Sequence, residues 1–233
     1  MIRWVYERSI QSDAEHVIIA TDDQRIVDVC RQFTSDVILT SVDHLSGTDR
    51  LQEVVTRQSY AEDHIVVNVQ GDEPLIPPEV INQVANNLVN NDSAGISTLC
   101  EKIENVGDLF NPNAVKVVCD ANEKALYFSR AAVPWCREWP SLGDFSPIAI
   151  KSRESIFLNS GYHWYRHIGI YAYRVSILNQ FVQWTATNNE RNESLEQLRA
   201  LDNGVTIHCQ EAVANVPAGV DTQYDLIKVR KLL

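Results

Sequence analysis

Ile65-Val66-Val67-Asn68-Val69-Gln70-Gly71-Asp72-Glu73-Pro74 is an apolar, β-branched run that stops on a glycine, two carboxylates and a proline. A run of that kind bounded by turn residues reads as a buried strand, here one that delivers acid to its end. In open α/β sheets ligands bind outside the carboxyl ends of the strands, so a rigid element would hold Asp72 and Glu73 at the active edge. Asp72 is the first candidate for a metal ligand.

The pattern on either side of this stretch is serial. His16 to Asp23 is a short apolar strand ending in a turn, and Asp22 or Asp23 caps a helix from Gln24 to Phe33. Asp36 to Thr40 is a second strand, followed by Ser46-Gly47-Thr48-Asp49 and an amphipathic helix through Val55. A helix from Pro78 to Val89 opens with proline in its first turn. Strands alternating with helices imply an α/β fold with a parallel, doubly wound sheet, and the first residues, Met1 to Ile10, have helical spacing.

Beyond Gly95 the segments Ile96 to Leu99, Ala114 to Val118 and Ala125 to Ser129 follow one another with little helix between, which predicts a mixed sheet. The stretch Trp135 to Tyr165 lacks periodicity and reads as a long loop or arm. Strand pattern returns at His167 to Tyr173; Ser176 is placed to cap a helix through Val182, and a second helix runs from Asn192 to Leu201 and stops at Asn203-Gly204. Val205 to Gln210 is the last strand, and Asp225 to Leu232 a closing helix. The 233 residues are expected to form a single domain with a sub-lobe at about 110–185.

Twenty basic against thirty-one acidic residues leave a net charge of −11, which argues against a nucleic-acid or anionic-membrane surface. An anionic substrate would need local help from a divalent cation, convergent arginines or backbone N–H groups. The five cysteines are odd in number and lack a C-x-x-C pair, so they read as thiols in a reducing compartment. With no long apolar span and no signal pattern at the start, a cytoplasmic location is expected.

Asp72 and Asp221 each follow an apolar segment where a loop opens. Two such carboxylates suit Mg²⁺, which takes one or two carboxylates and leaves room for substrate phosphates and water; turn or cap roles explain both acids equally well. Ser46-Gly47-Thr48-Asp49-Arg50 joins strand to helix with small residues and presents N–H groups, though a helix cap accounts for Ser46 as well. Neither a G-x-G-x-x-G fingerprint nor a Walker lysine loop is present, which disfavours a dinucleotide oxidoreductase or a P-loop enzyme. Arg130, Arg166, His167 and Tyr171 sit on strand-like segments, and arginine with hydroxyl-binding partners suits an acidic sugar. Glu196-Gln197 lies on an amphipathic helix that could equally be a solvated face.

Taken in order, Ala20-Thr21-Asp22, Ser46 to Arg50, Val69 to Pro74, Asn111 to Lys116, Tyr127 to Ala131, Arg166 to Tyr171, Leu195 to Arg199 and Gly219-Val220-Asp221-Thr222 resemble the bacterial 3-deoxy-manno-octulosonate (Kdo) cytidylyltransferases along essentially the whole chain. The resemblance implies a Rossmann-like nucleotidyltransferase fold, mostly parallel sheet flanked by helices, with a smaller mixed-sheet lobe that makes a homodimer. It implies the reaction of CTP with Kdo to give CMP-Kdo and pyrophosphate, for lipopolysaccharide synthesis. On that analogy Asp72 and Asp221 are the catalytic acids and hold Mg²⁺, and Ser46, Gly47, Arg50 and Gln70 contact the nucleotide. Arg130, His167, Tyr171, Glu196 and Gln197 hold the sugar acid, with Arg137 assisting. A related acidic sugar such as an 8-amino variant, or a non-catalytic sugar- or nucleotide-binding dimer, are the competing functions.

The sequence departs from the family pattern in two places. The family opens with a strand and a basic loop of the form A-R-x-x-S-x-R-[LF]-P-G-K-P that binds the triphosphate and supplies a lysine, and Met1-Ile2 aligns just after it. Either the sequence is a fragment or the native chain lacks the loop, and the 233 residues alone are expected to show little or no transfer. The stretch Glu138 to Tyr165 also looks longer than the family's connection, as a dimer arm or a lid would be.

Overall fold

The computed structural model describes residues 1–44, 46–139, 150, 153–159, 161–217, 219–220 and 222–232. In chain order its elements are α1 (Ile2–Ser9), β1 (Ile19–Thr21), α2 (Gln24–Cys30), β2 (Val37–Leu39), α3 (Gly47–Gln58), β3 (Ile65–Asn68), α4 (Pro78–Val89), β4 (Ile96–Lys102), α5 (Val106–Phe110), β5 (Lys116–Cys119), β6 (Ala125–Ser129), α6 (Glu154–Asn159), β7 (Tyr165–Arg174), α7 (Val175–Phe181), α8 (Asn188–Glu193), α9 (Gln197–Asp202), β8 (Ile207–Glu211) and α10 (Gln223–Val229). They gather into two compact units. The first comprises Met1–Ser97, Gly169–Thr185 and Ala212–Leu233; the second comprises Thr98–Ile168 and Ala186–Glu211.

In the first unit β1 and β2 pair in parallel, Ile19 to Val37 and Thr21 to Leu39, the arrangement that a strand-helix-strand crossover produces. Asp23, not Asp22, caps α2: its side chain accepts from the Arg25 N–H. Ser46 caps α3 by accepting from the Asp49 N–H, and the helix ends on Ser59 in a left-handed conformation (φ 55°). Proline begins α4, whose Val80, Ile81, Val84 and Leu88 are buried on one stripe. The partner of β3 comes from far along the chain: Ile65 to Asn68 pairs antiparallel with Tyr171 to Arg174 of β7.

Glu53 of α3 holds the chain that leaves β2. Its carboxylate accepts from the Ser41 N–H at 2.9 Å and also meets His44 and Arg57. Burial pushes its pKa up, but the Ser41 N–H, His44 and Arg57 outweigh that and hold it below the usual carboxylate value. Its stabilising contribution is therefore present at neutral pH and lost as the pH falls through that lowered value. Glu53→Gln keeps the shape without the charge, and the expected loss is ~1–2 kcal/mol, or about 4 °C in melting temperature for a chain of this length. Thermal melts at pH 7 and pH 4 check it, because the gap between the proteins must shrink at the lower pH.

In the second unit β5 pairs antiparallel with β6, Lys116 opposite Ser129, and with β7, Lys116 opposite Arg166. Three expectations need correcting here and in the neighbouring helices. The stretch Trp135 to Tyr165 is not simply a loop: it contains α6, and Trp139 (4% exposed) and Trp164 (2%) stack at 5.3 Å inside an apolar cluster with Phe157 and Leu109. Stacked rings order a segment without any sequence period. Within Glu138 to Tyr165, residues 140–149, 151–152 and 160 lie outside the described residues, so the arm or lid expectation falls largely there.

Ser176 does not cap α7, which starts one residue earlier after an extended Arg174 with no side-chain cap. The Arg174 guanidinium instead takes the carbonyls of Leu88 and Ala94 at 2.9 and 3.1 Å. The helix expected from Asn192 to Leu201 is two helices, α8 and α9, broken by Ser194 in a left-handed conformation (φ 51°). Thr187 and Glu190 form a capping box at the start of α8, and Glu190 also meets Arg199 of α9, with Nε to Oε2 at 2.8 Å. That ion pair fixes the bend.

Candidate active site

In the first unit the candidate nucleotide residues gather at the carboxyl ends of β1, β2 and β3. A Cβ placed on Gly47, the first residue of α3, would lie 3.7 Å from the Asn68 amide nitrogen, so the start of α3 abuts the end of β3. Asn68 is the register partner of Tyr171, which brings Tyr171 to the same strand end. The start of α3, the positive end of its dipole, thereby stands beside the strand end from which Gln70, Gly71 and Asp72 continue.

Two of the predicted contacts are occupied within the fold. The Ser46 hydroxyl donates to Asp49 Oδ2 at 3.1 Å as well as capping the helix. Arg50 reaches Asp22 with Nη2 at 2.9 Å and Thr40 with Nη1, tying α3 to the ends of β1 and β2. That hydrogen bond from Arg50 is the main cause of the lowered pKa of Asp22. Asp22, absent from the candidates, thus sets where Arg50 stands. Gln70 is exposed, and its carbonyl accepts from the Glu73 N–H in a turn at 3.2 Å.

Asp72 is half-buried, and its carbonyl accepts from the Val220 N–H at 2.8 Å. A Cβ on Gly219 would stand 3.2 Å from Asp72 Oδ2, so the segment lies close against the carboxylate and a side chain there would push it by a few tenths of an ångström. The chain leading to Asp221 therefore runs directly past Asp72. Asp221 itself lies outside the described residues. Among the described residues no group of three or more His, Cys, Asp or Glu forms a metal cage; one carboxylate beside a bare glycine fits a cation that keeps water and substrate oxygens in its shell.

The second unit carries Arg130 in a hydrogen-bonded frame. Its Nε donates to the Glu193 carbonyl at 2.7 Å, Nη1 to the Pro112 carbonyl at 3.0 Å and Nη2 to the Ser194 carbonyl at 3.4 Å. The Glu193 carboxylate answers by accepting from the Arg130 N–H at 2.8 Å and the Ser129 hydroxyl at 2.7 Å. Glu196 and Gln197 begin α9 two residues past Ser194, on the same bend. Neither Glu193 nor the fully buried Lys116 was among the candidates. Glu193 belongs to a charged run that reads as a solvated face, and only the fold turns it inward.

His167 is opposite Val115 on the neighbouring chain segment, its N–H donating to that carbonyl at 2.8 Å, and its ring meets Phe128 edge-on at 5.0 Å. Its Nε2 lies 2.9 Å from the Thr98 hydroxyl, which gives its single proton to the Ile168 carbonyl at 3.1 Å. The hydroxyl therefore accepts from Nε2–H. Burial, followed by the charge of Arg166, lowers the His167 pKa to about 3, so the imidazole is neutral at physiological pH. Arg137 is exposed and lines a groove of about 350 Å³ with Trp135, Tyr162 and Trp164. None of the carbonyls that hold Arg130 belongs to that groove.

The α/β scaffold, with an acid and a helix start at its strand ends, has the nucleotidyltransferase fold. A solved structure of CMP:2-keto-3-deoxy-manno-octonic acid synthetase complexed with CTP superposes with a TM-score of 0.85 at 36% identity, covering 99% of this chain and 86% of that one. The chain belongs to the cytidylyltransferase family, whose profile matches residues 1–207. The 3-deoxy-manno-octulosonate cytidylyltransferase of Alcanivorax borkumensis is 55% identical over all of this chain and 88% of its own length. The one from Marinobacter nauticus is 52% identical over all of this chain and 87% of its own length. Among the described residues no helix is long and apolar enough to cross a membrane.

Proposed function

We propose that this chain transfers the cytidylyl group of CTP to 3-deoxy-manno-octulosonate, releasing pyrophosphate. The observation that carries this is 55% identity, over the full chain, to a protein named for that reaction. The same reading makes the protein a cytoplasmic homodimer in lipopolysaccharide synthesis.

The anomeric hydroxyl of the sugar attacks the α-phosphorus in line and pyrophosphate leaves, so no covalent intermediate with the protein is needed. Transfer of this kind asks for positioning and charge neutralisation. In this reading the start of α3, with Gly47 and the exposed Gln70, binds the nucleotide, and Arg50, held by Asp22, stands beside it. Arg130 binds the sugar carboxylate through the N–H groups its carbonyl frame leaves over, and Glu196 and Gln197 bind hydroxyls. His167, neutral at physiological pH, meets a sugar hydroxyl by a hydrogen bond without taking its proton. Mg²⁺ held by Asp72 with Asp221 would neutralise charge on the phosphate oxygens.

The test is pyrophosphate release from CTP, Kdo and Mg²⁺, measured on the 233-residue chain and on the same chain extended ahead of Met1 by a family-type strand and basic loop. Turnover by either, with 8-amino-Kdo a poorer substrate in competition, is the expected result. Absence of turnover in both, with Kdo and CMP still bound, would convert the reading to a binding module.

A further inference from the structure

Arg130 is placed by backbone carbonyls, and those carbonyls are themselves placed by two charged side chains. Lys116 is 0% exposed at the start of β5. Its ammonium donates to the carbonyls of Asn111 at 2.8 Å and Ala114 at 2.6 Å, closing the turn whose Pro112 carbonyl accepts from Arg130. Glu193 clamps the other side, taking the Ser129 hydroxyl and the Arg130 N–H while its own carbonyl receives Arg130 Nε. Burying a lysine that touches only carbonyls costs free energy that a methionine would not incur, so the geometry it imposes is what the position supplies.

We infer that Lys116 and Glu193 are positioning residues for the sugar-acid site: together they fix the Pro112, Glu193 and Ser194 carbonyls so that Arg130 presents its remaining N–H groups to a carboxylate in one orientation. The inference rests on the reading of Arg130 as the sugar-acid ligand.

Lys116 also makes this arrangement sensitive to alkali. Burial lowers its pKa from 10.5 to about 8, with Glu193 opposing and Arg130 assisting the drop. The charge is present below about pH 8 and is lost above it. On the same strand the pKa of the Cys119 thiol is also lowered from its ordinary value, chiefly by its hydrogen bond with Cys209, and a Lys116→Arg protein separates the two groups. Arg166, its partner on β7, is engaged by Glu101 at 2.6 and 2.9 Å. His167 is already neutral, and burial together with Glu193 raises the pKa of Tyr127 above its ordinary value. A neutral amine keeps two N–H donors for the two carbonyls but loses the added strength of a charged donor. The effect of alkali is therefore a weakening.

Calorimetric binding of Kdo to the full chain between pH 7 and 9.5 tests this without requiring turnover. The expected dissociation constant rises about threefold through pH 8 in the parent protein, given the roughly twofold strength of charge-assisted bonds. Lys116→Met raises it about tenfold at pH 7, as a slight misplacement of a ligand does, with CMP binding unchanged. Lys116→Arg, charged at every pH used, restores affinity and removes the rise. Kdo binding that is flat from pH 7 to 9.5, or unchanged in a folded Lys116→Met protein, overturns the inference while leaving the parent reading in place. No Kdo binding by the parent protein at pH 7 overturns both.

Discussion

Asp72→Asn lowers kcat/KM about a thousandfold in whichever polypeptide turns over, because the missing charge removes ~4 kcal/mol of cation-mediated stabilisation from the transition state. The substitution is close to isosteric. The bond from the Val220 N–H goes to the Asp72 carbonyl, which the substitution leaves alone, and the bare Gly219 beside Oδ2 accommodates an amide of the same size. The fold should therefore persist, and Kdo should bind as before through the second unit. Steady-state pyrophosphate release across a Mg²⁺ titration is the check. Turnover within tenfold of the parent protein at every Mg²⁺ concentration would remove Asp72 from the catalytic set and leave it as a turn acid, the role its position allows equally well.

That alternative was visible from the start, since a carboxylate after a strand and a glycine serves a turn as readily as a cation. The structure adds a neighbour that local sequence cannot supply: the Gly219-Val220 segment, most of the chain away, lying against Asp72. Elements whose physics is local were legible. The β-branched run at β3, the proline at the start of α4 and the Ser46 cap of α3 all stand where period and turn chemistry put them. Elements set by distant partners were not. Ser194 ends α8 in a left-handed turn without the glycine or asparagine that usually marks one, because Arg130 and the Glu190 to Arg199 pair hold it there. Ser176 has the right type for a cap, yet its N–H goes to the Glu62 carbonyl at 2.9 Å and α7 begins at Val175. Trp139 follows no period since stacking on Trp164, which stacks in turn on Phe157, and not alternation, fixes it.

The same distinction governs the site. Arg130 was legible as a cation on a strand end, whereas the acid that orients it was not, since Glu193 sits in Asn188-Asn189-Glu190-Arg191-Asn192-Glu193, a run as polar as any solvated helix. Arg50 was read as a ligand contact, and its engagement by Asp22 and Thr40 makes it first a brace between α3 and two strand ends. An arginine has five N–H donors, so a brace and a ligand contact are compatible. The two roles separate only when a ligand's charge is varied.

Arg130 provides that separation, and Arg130→Lys is expected to weaken Kdo binding about a hundredfold, since a hydrogen bond to a charged group contributes ~1.5–3 kcal/mol and lysine cannot remake the paired bonds of the guanidinium. Lysine keeps the charge but has no planar fork, so it cannot hold the Pro112, Glu193 and Ser194 carbonyls and a carboxylate together. A purely structural arginine would also lose affinity on replacement, through collapse of the α8 to α9 bend, and affinity for Kdo alone does not tell the two apart. The Kdo carboxamide does. If Arg130 reads the carboxylate, the parent protein prefers the acid to the amide by about a hundredfold on the same scale, and Arg130→Lys loses most of that preference while binding the amide nearly as the parent does. If Arg130 is only a brace, acid and amide weaken by the same factor and the preference survives intact. Calorimetry with both ligands on both proteins, alongside melting temperatures to confirm folding, decides between a residue that binds the sugar acid and one that merely shapes the pocket around it.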